Sequence, residues 1–417
     1  MKITRLTKYF GFLFFLVAGV TWVAGEAGQG AEGRLALADL IGVGIILLWI
    51  YSSLHDKQMA MKLPAPYRAY LPLLMIFALG VLAARYPMLG ALELLIHVFI
   101  FVVAIALFNL YSRMPPEDAV KWVLNSVLWS GCILSVLGLI DFFIWPSLFP
   151  GSGNGLTGTF RNTGQAGAFF GMYLAIIIPG ILSGIIKPKW QNILATLAIL
   201  FALIFTSKRA ATVGLIAGLI FLALSMMLSS SKRDKKLGSI SAFVILVMVP
   251  LVYFLFQWGL ENIEGMAWRF EKKFNDNTME DFSEGFLAEN IEATKAAFQI
   301  NPIIGVGLGN VAGIITQKYE IHSTYMAILG NSGLLGALAY LFFMAVHIIQ
   351  SVRYAGDSYL GRYLRYYLPM LMGLVLAWAY TYHLRKREFW ILFFVVTLVA
   401  HGAKLIEYNR RVSTRMR

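Results

Sequence analysis

A histidine, three arginines and a lysine supply the residue types from which a phosphate-handling site could be built. His322 stands where a polar segment meets an apolar run, a short distance after the glycine-rich stretch NPIIGVGLGN at Asn301–Asn310. An imidazole ordinarily titrates near pH ~6.5, so it can take a proton from a hydroxyl at neutral pH. Arg209, preceded by Lys208, opens the apolar run RAATVGLIAGL, and Arg269 lies in MAWRFEKKF. Arg161 lies in GLTGTFRNTGQAGAF, whose glycines let a backbone come close to a ligand. A guanidinium is a planar fork of donors that matches phosphate oxygens, and a helix N-terminus nearby adds positive potential.

Each of these residues also has a plain reading. His322 could be a helix-entry histidine satisfied by local hydrogen bonds, with Ser323 or Thr324 as cap and Tyr325 in an interfacial aromatic belt. On residue type alone the two readings of His322 weigh equally, as do those of Arg161, whose alternative is a simple turn. For Arg209 a snorkelling interfacial side chain has slightly more weight. For Arg269, beside Lys272 and Lys273, a solvated surface position has more weight still. Lys208, Tyr325 and Ser323 are possible supporting groups. Glu93 and His97, four apart, read as a structural pair on one helix face.

The elements that must position these side chains are apolar helices. Of 417 residues 59% are hydrophobic and only 14% charged, with mean hydropathy +0.70, against about 25% charged in soluble domains. Runs of about 20 apolar residues recur along nearly the whole length, which points to an all-α polytopic membrane protein and excludes a spanning barrel. Twelve spans are expected, beginning near Tyr9, Leu35, Tyr70, Leu89, Ala119, Gly164, Gln191, Arg209, Ser239, Ser323, Arg362 and Glu388. The first, preceded by Lys2, Arg5 and Lys8, is read as a retained helix rather than a cleaved signal. The net charge of +13 fits basic cytoplasmic loops and anionic membrane lipids, and no basic soluble module is present to hold nucleic acid. Cys132 is the lone cysteine, so no disulfide within the chain is possible.

With the N-terminus inside, most Lys and Arg clusters fall on the cytoplasmic side, among them Lys232-Arg233-Asp234-Lys235-Lys236. Arg385-Lys386-Arg387 resists this choice, because it would lie outside. Either the last two spans are misplaced or the cluster binds something anionic there. The chain divides into transmembrane helices at 1–258, a long external loop at 259–321 and further spans with a cytoplasmic tail at 322–417. Within the loop, Phe286, Ile291, Ala293, Ala297, Phe298 and Ile300 suggest an amphipathic helix lying on the bundle, ended by Asn301-Pro302. Asp39, Arg85, Glu93, His97, Asp141, Arg161, Lys208, Arg209, Arg269 and His322 would all gather at the external face, where ionisable residues near spans are functional candidates. No DxD pair, HExxH or P-loop occurs, so neither a metal nor another cofactor is expected.

Taken together, four segments resemble the O-antigen ligase and polymerase superfamily. The clearest is His322-Ser323 followed by Gly333 and Gly336; the others are GTFRNTGQAGAF, KRAATVGL and NPIIGVGLGN. The resemblance covers about Gly155 to Gly336. It departs where Ser323 follows the histidine, a position often held by Asn in the family. It departs again at Glu289, Asn290 and Glu292, where many members carry an arginine; Arg269 is the best substitute. The resemblance implies an inverting, metal-independent glycosyltransferase of the GT-C type, with its site facing the periplasm at the bacterial inner membrane. The implied donor is an undecaprenyl-diphosphate-linked glycan and the implied acceptor is a sugar hydroxyl on lipid A-core oligosaccharide. His322 would be the base, and Arg209, Arg269 and Arg161 would hold the diphosphate. The nearest rival is an O-antigen or exopolysaccharide polymerase, then a protein O-oligosaccharyltransferase. A secondary transporter is disfavoured because no pair of broken helices is legible.

Overall fold

The computed structural model describes residues 2–20, 36–55, 61–145, 148–149, 155–262, 286–311 and 321–415. Among them are thirteen helices and no strand. In chain order they are α1 Lys2–Val17, α2 Leu37–His55, α3 Ala65–Ala83, α4 Pro87–Tyr111, α5 Pro116–Phe143, α6 Thr163–Ser183 and α7 Trp190–Phe205. Then follow α8 Arg209–Met227, α9 Lys232–Asn262, α10 Phe286–Ile300, α11 Thr324–Tyr354, α12 Tyr359–Ala377 and α13 Arg387–Arg415. Eight of these helices, α2 to α6, α8, α11 and α13, are long and apolar enough to cross a bilayer. The chain is therefore a multi-pass helical membrane protein. The four other apolar stretches of the sequence form α1, α7, α9 and α12.

Local chemistry sets many of the boundaries. Prolines open α3, α4 and α5, where the missing N–H has no intrahelical partner to lose. Asn162 caps α6 by accepting from Gln165 N, and Ser358 caps α12 by accepting from Gly361 N. Helices α6 and α13 bury 83% and 78% of their most apolar windows, against 28% for α2 and 33% for α8. The first two are therefore the centre of the bundle, and the latter two line its outside.

The connections fall at two opposite ends. One end gathers the α3–α4, α5–α6, α7–α8 and α12–α13 turns. There Asn310 Oδ1 accepts from Tyr86 N at 2.8 Å, and Leu156 N donates to Phe205 O at 2.9 Å. The other end gathers the α4–α5, α6–α7, α8–α9 and α11–α12 turns. Buried Asp234 is held there by Arg365 at 3.1 Å and Tyr366 at 2.8 Å.

Two features depart from expectation. Helix α10 spans Phe286–Ile300, but its buried face is Asn290, Ala293, Thr294 and Ala297, whereas Ile291 and Ile300 are exposed. Small side chains on that face let α10 approach α11 closely, and Asn290 makes a polar tie that larger apolar groups would block. Helix α11 is broken at Gly333 (φ 59°, ψ −158°). The NPIIGVGLGN loop fills the break. Leu334 N and Leu335 N donate to Pro302 O and Ile303 O, while Val306 N and Gly307 N donate to Gly330 O and Asn331 O. Every backbone group freed at these positions is thus satisfied by the loop, as a low-dielectric setting demands. A Cβ on residue 333 would lie 2.5 Å from the Ile303 carbonyl carbon.

Candidate functional site

The site is built where α11 begins. Ser323 caps the helix through its side-chain oxygen, which accepts from Met326 N at 3.4 Å. Of the two caps that the sequence allowed, Ser323 takes the role. Thr324 is fully buried and joins the helix start to the α12–α13 turn. Its amide donates to Trp378 O at 3.0 Å, its hydroxyl donates to Thr381 O at 2.7 Å, and His383 N donates to that hydroxyl at 3.2 Å. The Tyr325 hydroxyl donates to Val375 O of α12 at 2.5 Å. His322 lies just outside this anchored start and is exposed. Its backbone N–H donates to Asn290 Oδ1 of α10 at 3.2 Å. The imidazole is therefore carried on a backbone fixed from three sides while the ring stays accessible.

Lys208 stands at the N-cap position of α8, and Arg209 is that helix's first residue, exposed at the same end as His322. Ser207, just before them, has φ 53°, an unusual conformation for a residue with a Cβ. It turns the chain sharply so that Lys208 lies along α6. The Lys208 side chain occupies the space left by Gly167, where a Cβ would sit 2.5 Å from Lys208 Cβ. Its ammonium lies close to Gly164. Arg161, exposed, stands one residue before the Asn162 cap of that helix.

A fourth segment, little legible in sequence, completes the junction. His383 is buried at 3% exposure, in the turn between α12 and α13. Burial, with the Lys386 and Lys208 charges, holds its pKa well below the usual histidine range, so it is neutral. Its Nδ1 and the Trp378 indole N–H have no protein partner among the described residues, nor does Gln165 Oε1 in the first turn of α6. Buried polar groups without partners cost about 1–3 kcal/mol each. The only signal in the sequence was a histidine between two apolar helices.

The structure redistributes the other candidates. Arg385 pairs with Glu93 of α4 at 2.6 Å, and Arg387 pairs with Asp39 of α2 at 2.6 Å. Both arginines of the cluster that resisted the topology are thus bound to carboxylates within the bundle, and that pairing explains their place at this end. Glu93 and His97 are not a side-chain pair. His97 Nδ1 donates to the Glu93 backbone carbonyl at 2.9 Å, and its Nε2 meets the Tyr382 hydroxyl at 3.1 Å. Asp141 accepts from Phe149 N at 2.9 Å and organises its loop. Ser323 spends its hydroxyl on capping α11, and Tyr325 spends its own on a bond to α12. Arg269 lies outside the described residues. Among the described residues no group of three or more His, Cys, Asp or Glu side chains could hold a metal ion.

The fold and this junction define a multi-pass membrane protein with a basic, histidine-bearing site at one end of its helices. Residues 194–341, about a third of the chain, match the family described as O-antigen ligase. It runs from α7 into α11 and includes Lys208, Arg209 and His322, but neither Arg161 nor the turn bearing His383. No curated protein matches the chain.

Proposed function

We propose that this protein is an inverting glycosyltransferase of the O-antigen ligase type, acting on lipid-linked glycans. His322 removes the proton from an acceptor sugar hydroxyl, and the oxygen attacks the anomeric carbon of the donor. The bond from that carbon to the diphosphate oxygen breaks, and the diphosphate leaves on its lipid with the bonding electrons. A single displacement inverts the anomeric centre. Arg209 and Lys208, with Arg161 and Arg269, balance the leaving charge, a task that positioned cations perform without proton bookkeeping.

The observation that carries this reading is the gathering of four separated segments at one end of the bundle. An exposed imidazole sits on an anchored backbone, beside a turn in which neutral His383 feels the Lys208 charge. The wider proposal is a protein of twelve spans of the GT-C type, with a periplasmic loop at 259–321 and a site facing the periplasm at the inner membrane. The donor is an undecaprenyl-diphosphate glycan and the acceptor is lipid A-core. Helix α10, which places Asn290 against His322 N, belongs to that loop.

The test is transfer by the reconstituted full chain with a defined donor and acceptor lipid. His322→Ala is expected to lower the rate by about 100-fold or more, with membrane insertion unchanged. Full activity in that variant would end the assignment. Lipid analysis of a deletion strain separates ligase from polymerase. Long glycans accumulating on undecaprenyl diphosphate indicate a ligase, and single repeat units indicate a polymerase.

A further inference from the structure

At the end of the bundle opposite His322 lies a cavity of about 480 Å³, between the turn before α3 and the C-terminal halves of α11 and α13. Lys62, Arg68, Arg353 and Lys404 all line it, and no carboxylate does among the described residues. We propose that this cavity binds the phosphate headgroup of an anionic phospholipid.

Four like charges around one small volume repel one another unless an anion joins them. Neighbouring cations at the same end are disposed differently. Arg365 is shared between Asp234 and Asp357, and Arg113 bonds Ser52 and Ser53. Among the described residues none of the four cavity cations takes part in an ion pair. The arrangement is also built, not incidental. Asn109 of α4 pins the mouth, accepting from Lys62 N at 2.8 Å and donating to Lys62 O at 2.9 Å. Two polar atoms of lining residues, Gln350 Oε1 and His401 Nε2, are buried and have no protein partner among the described residues.

The wall argues for a lipid rather than a free phosphate. Phe108, Val346 and Ile349 line the same cavity, and Ile349 is 63% exposed on the outer surface of α11. A headgroup held by the cations would lay its acyl chains along that apolar surface. Basic pockets between membrane helices recognise anionic headgroups in this way. The cavity stands apart from the junction at His322, so its occupancy and the transfer reaction are separable.

The experiment is native mass spectrometry of the full chain released from nanodiscs holding equal amounts of phosphatidylglycerol and phosphatidylcholine. Wild type is expected to retain phosphatidylglycerol preferentially. The triple variant K62Q/R353Q/K404Q should lose that preference by about 100-fold, at about fivefold per cation. Should the triple variant fail to insert, R353Q alone should lose about fivefold. K187Q/K189Q, which changes exposed lysines at the same end, should keep the wild-type preference. An unchanged preference in the cavity variants overturns the proposal, as does an equal loss in K187Q/K189Q. Inorganic phosphate at millimolar concentration should not displace the lipid; displacement would mean a free-phosphate site and overturn the lipid assignment.

Discussion

His322 and His383, on either side of the buried Thr324, have opposite roles because their surroundings differ. His322 is exposed on a fixed backbone, whereas His383 is buried beside Thr324 and close enough to Lys386 and Lys208 to feel both charges. A proton on His383 would face burial and two like charges, so the folded protein keeps it neutral. In the unfolded chain the same residue takes a proton below its ordinary pKa of about 6.5. The unfolded state therefore binds more protons on the acid side, and folding loses stability as pH falls from about 6.5 toward the depressed folded value. His383→Gln should flatten that loss, measured as the fall in melting temperature between pH 7.5 and 5, values set about the ordinary pKa. An identical slope in variant and wild type would show that His383 is not held neutral by folding. Sequence pointed to His322 through its neighbours. It could not distinguish His383 from an ordinary helix-turn histidine, because the charges that define it come from residues 3 and 175 positions away.

At the scale of elements, the break in α11 and the NPIIGVGLGN loop are one structure. The freed amides and carbonyls of Gly330–Leu335 and the loop satisfy each other, so neither conformation is stable without the other. The backbone of residue 333 lies in a region open essentially to glycine, and no room exists for a Cβ against Ile303. Gly333→Ala should therefore cost about 2–4 kcal/mol, read as a lower melting temperature and weaker insertion. A variant as stable as wild type would mean that the break is not rigid. The glycine spacing after His322 was legible as a motif. That it marked a discontinuous helix was not, since an apolar run with glycines has the same pattern whether continuous or broken. The packed face of α10 was legible in part: Ala293 and Ala297 of the expected apolar face are buried, whereas Ile291 and Ile300 are exposed and Asn290 supplies a polar tie that apolar periodicity does not mark.

Across the whole molecule, two ion pairs tie the start of α13 to helices distant in sequence. Arg385 reaches Glu93, which is 5% exposed, and Arg387 reaches Asp39. Removing one partner leaves a charge in a poor dielectric, which costs more than the pair contributes. Arg385→Gln alone should destabilise the fold by about 2–3 kcal/mol, reduced from the fully buried range because Arg385 is partly exposed. Adding Glu93→Gln should restore much of that loss. A double-mutant cycle on the detergent-purified protein checks it, and additive losses would count against the pair. Because this turn also carries His383 and Thr381, the pairs set the floor of the site as well as the packing of α13.

Composition and apolar run length determined the helical membrane class, because crossing a bilayer needs about 20 apolar residues and internally paired backbone. Residue type and local spacing singled out His322, Lys208, Arg209 and Arg161, whose chemistry is intrinsic to their side chains. Tertiary structure decided which charges were already spent. It paired Arg385 and Arg387 with Glu93 and Asp39, used Ser323 and Tyr325 as anchors, and brought His383 beneath the α11 start. The reason is physical: what a charge or hydroxyl can do depends on the groups packed against it, and most of these neighbours lie far away in the chain.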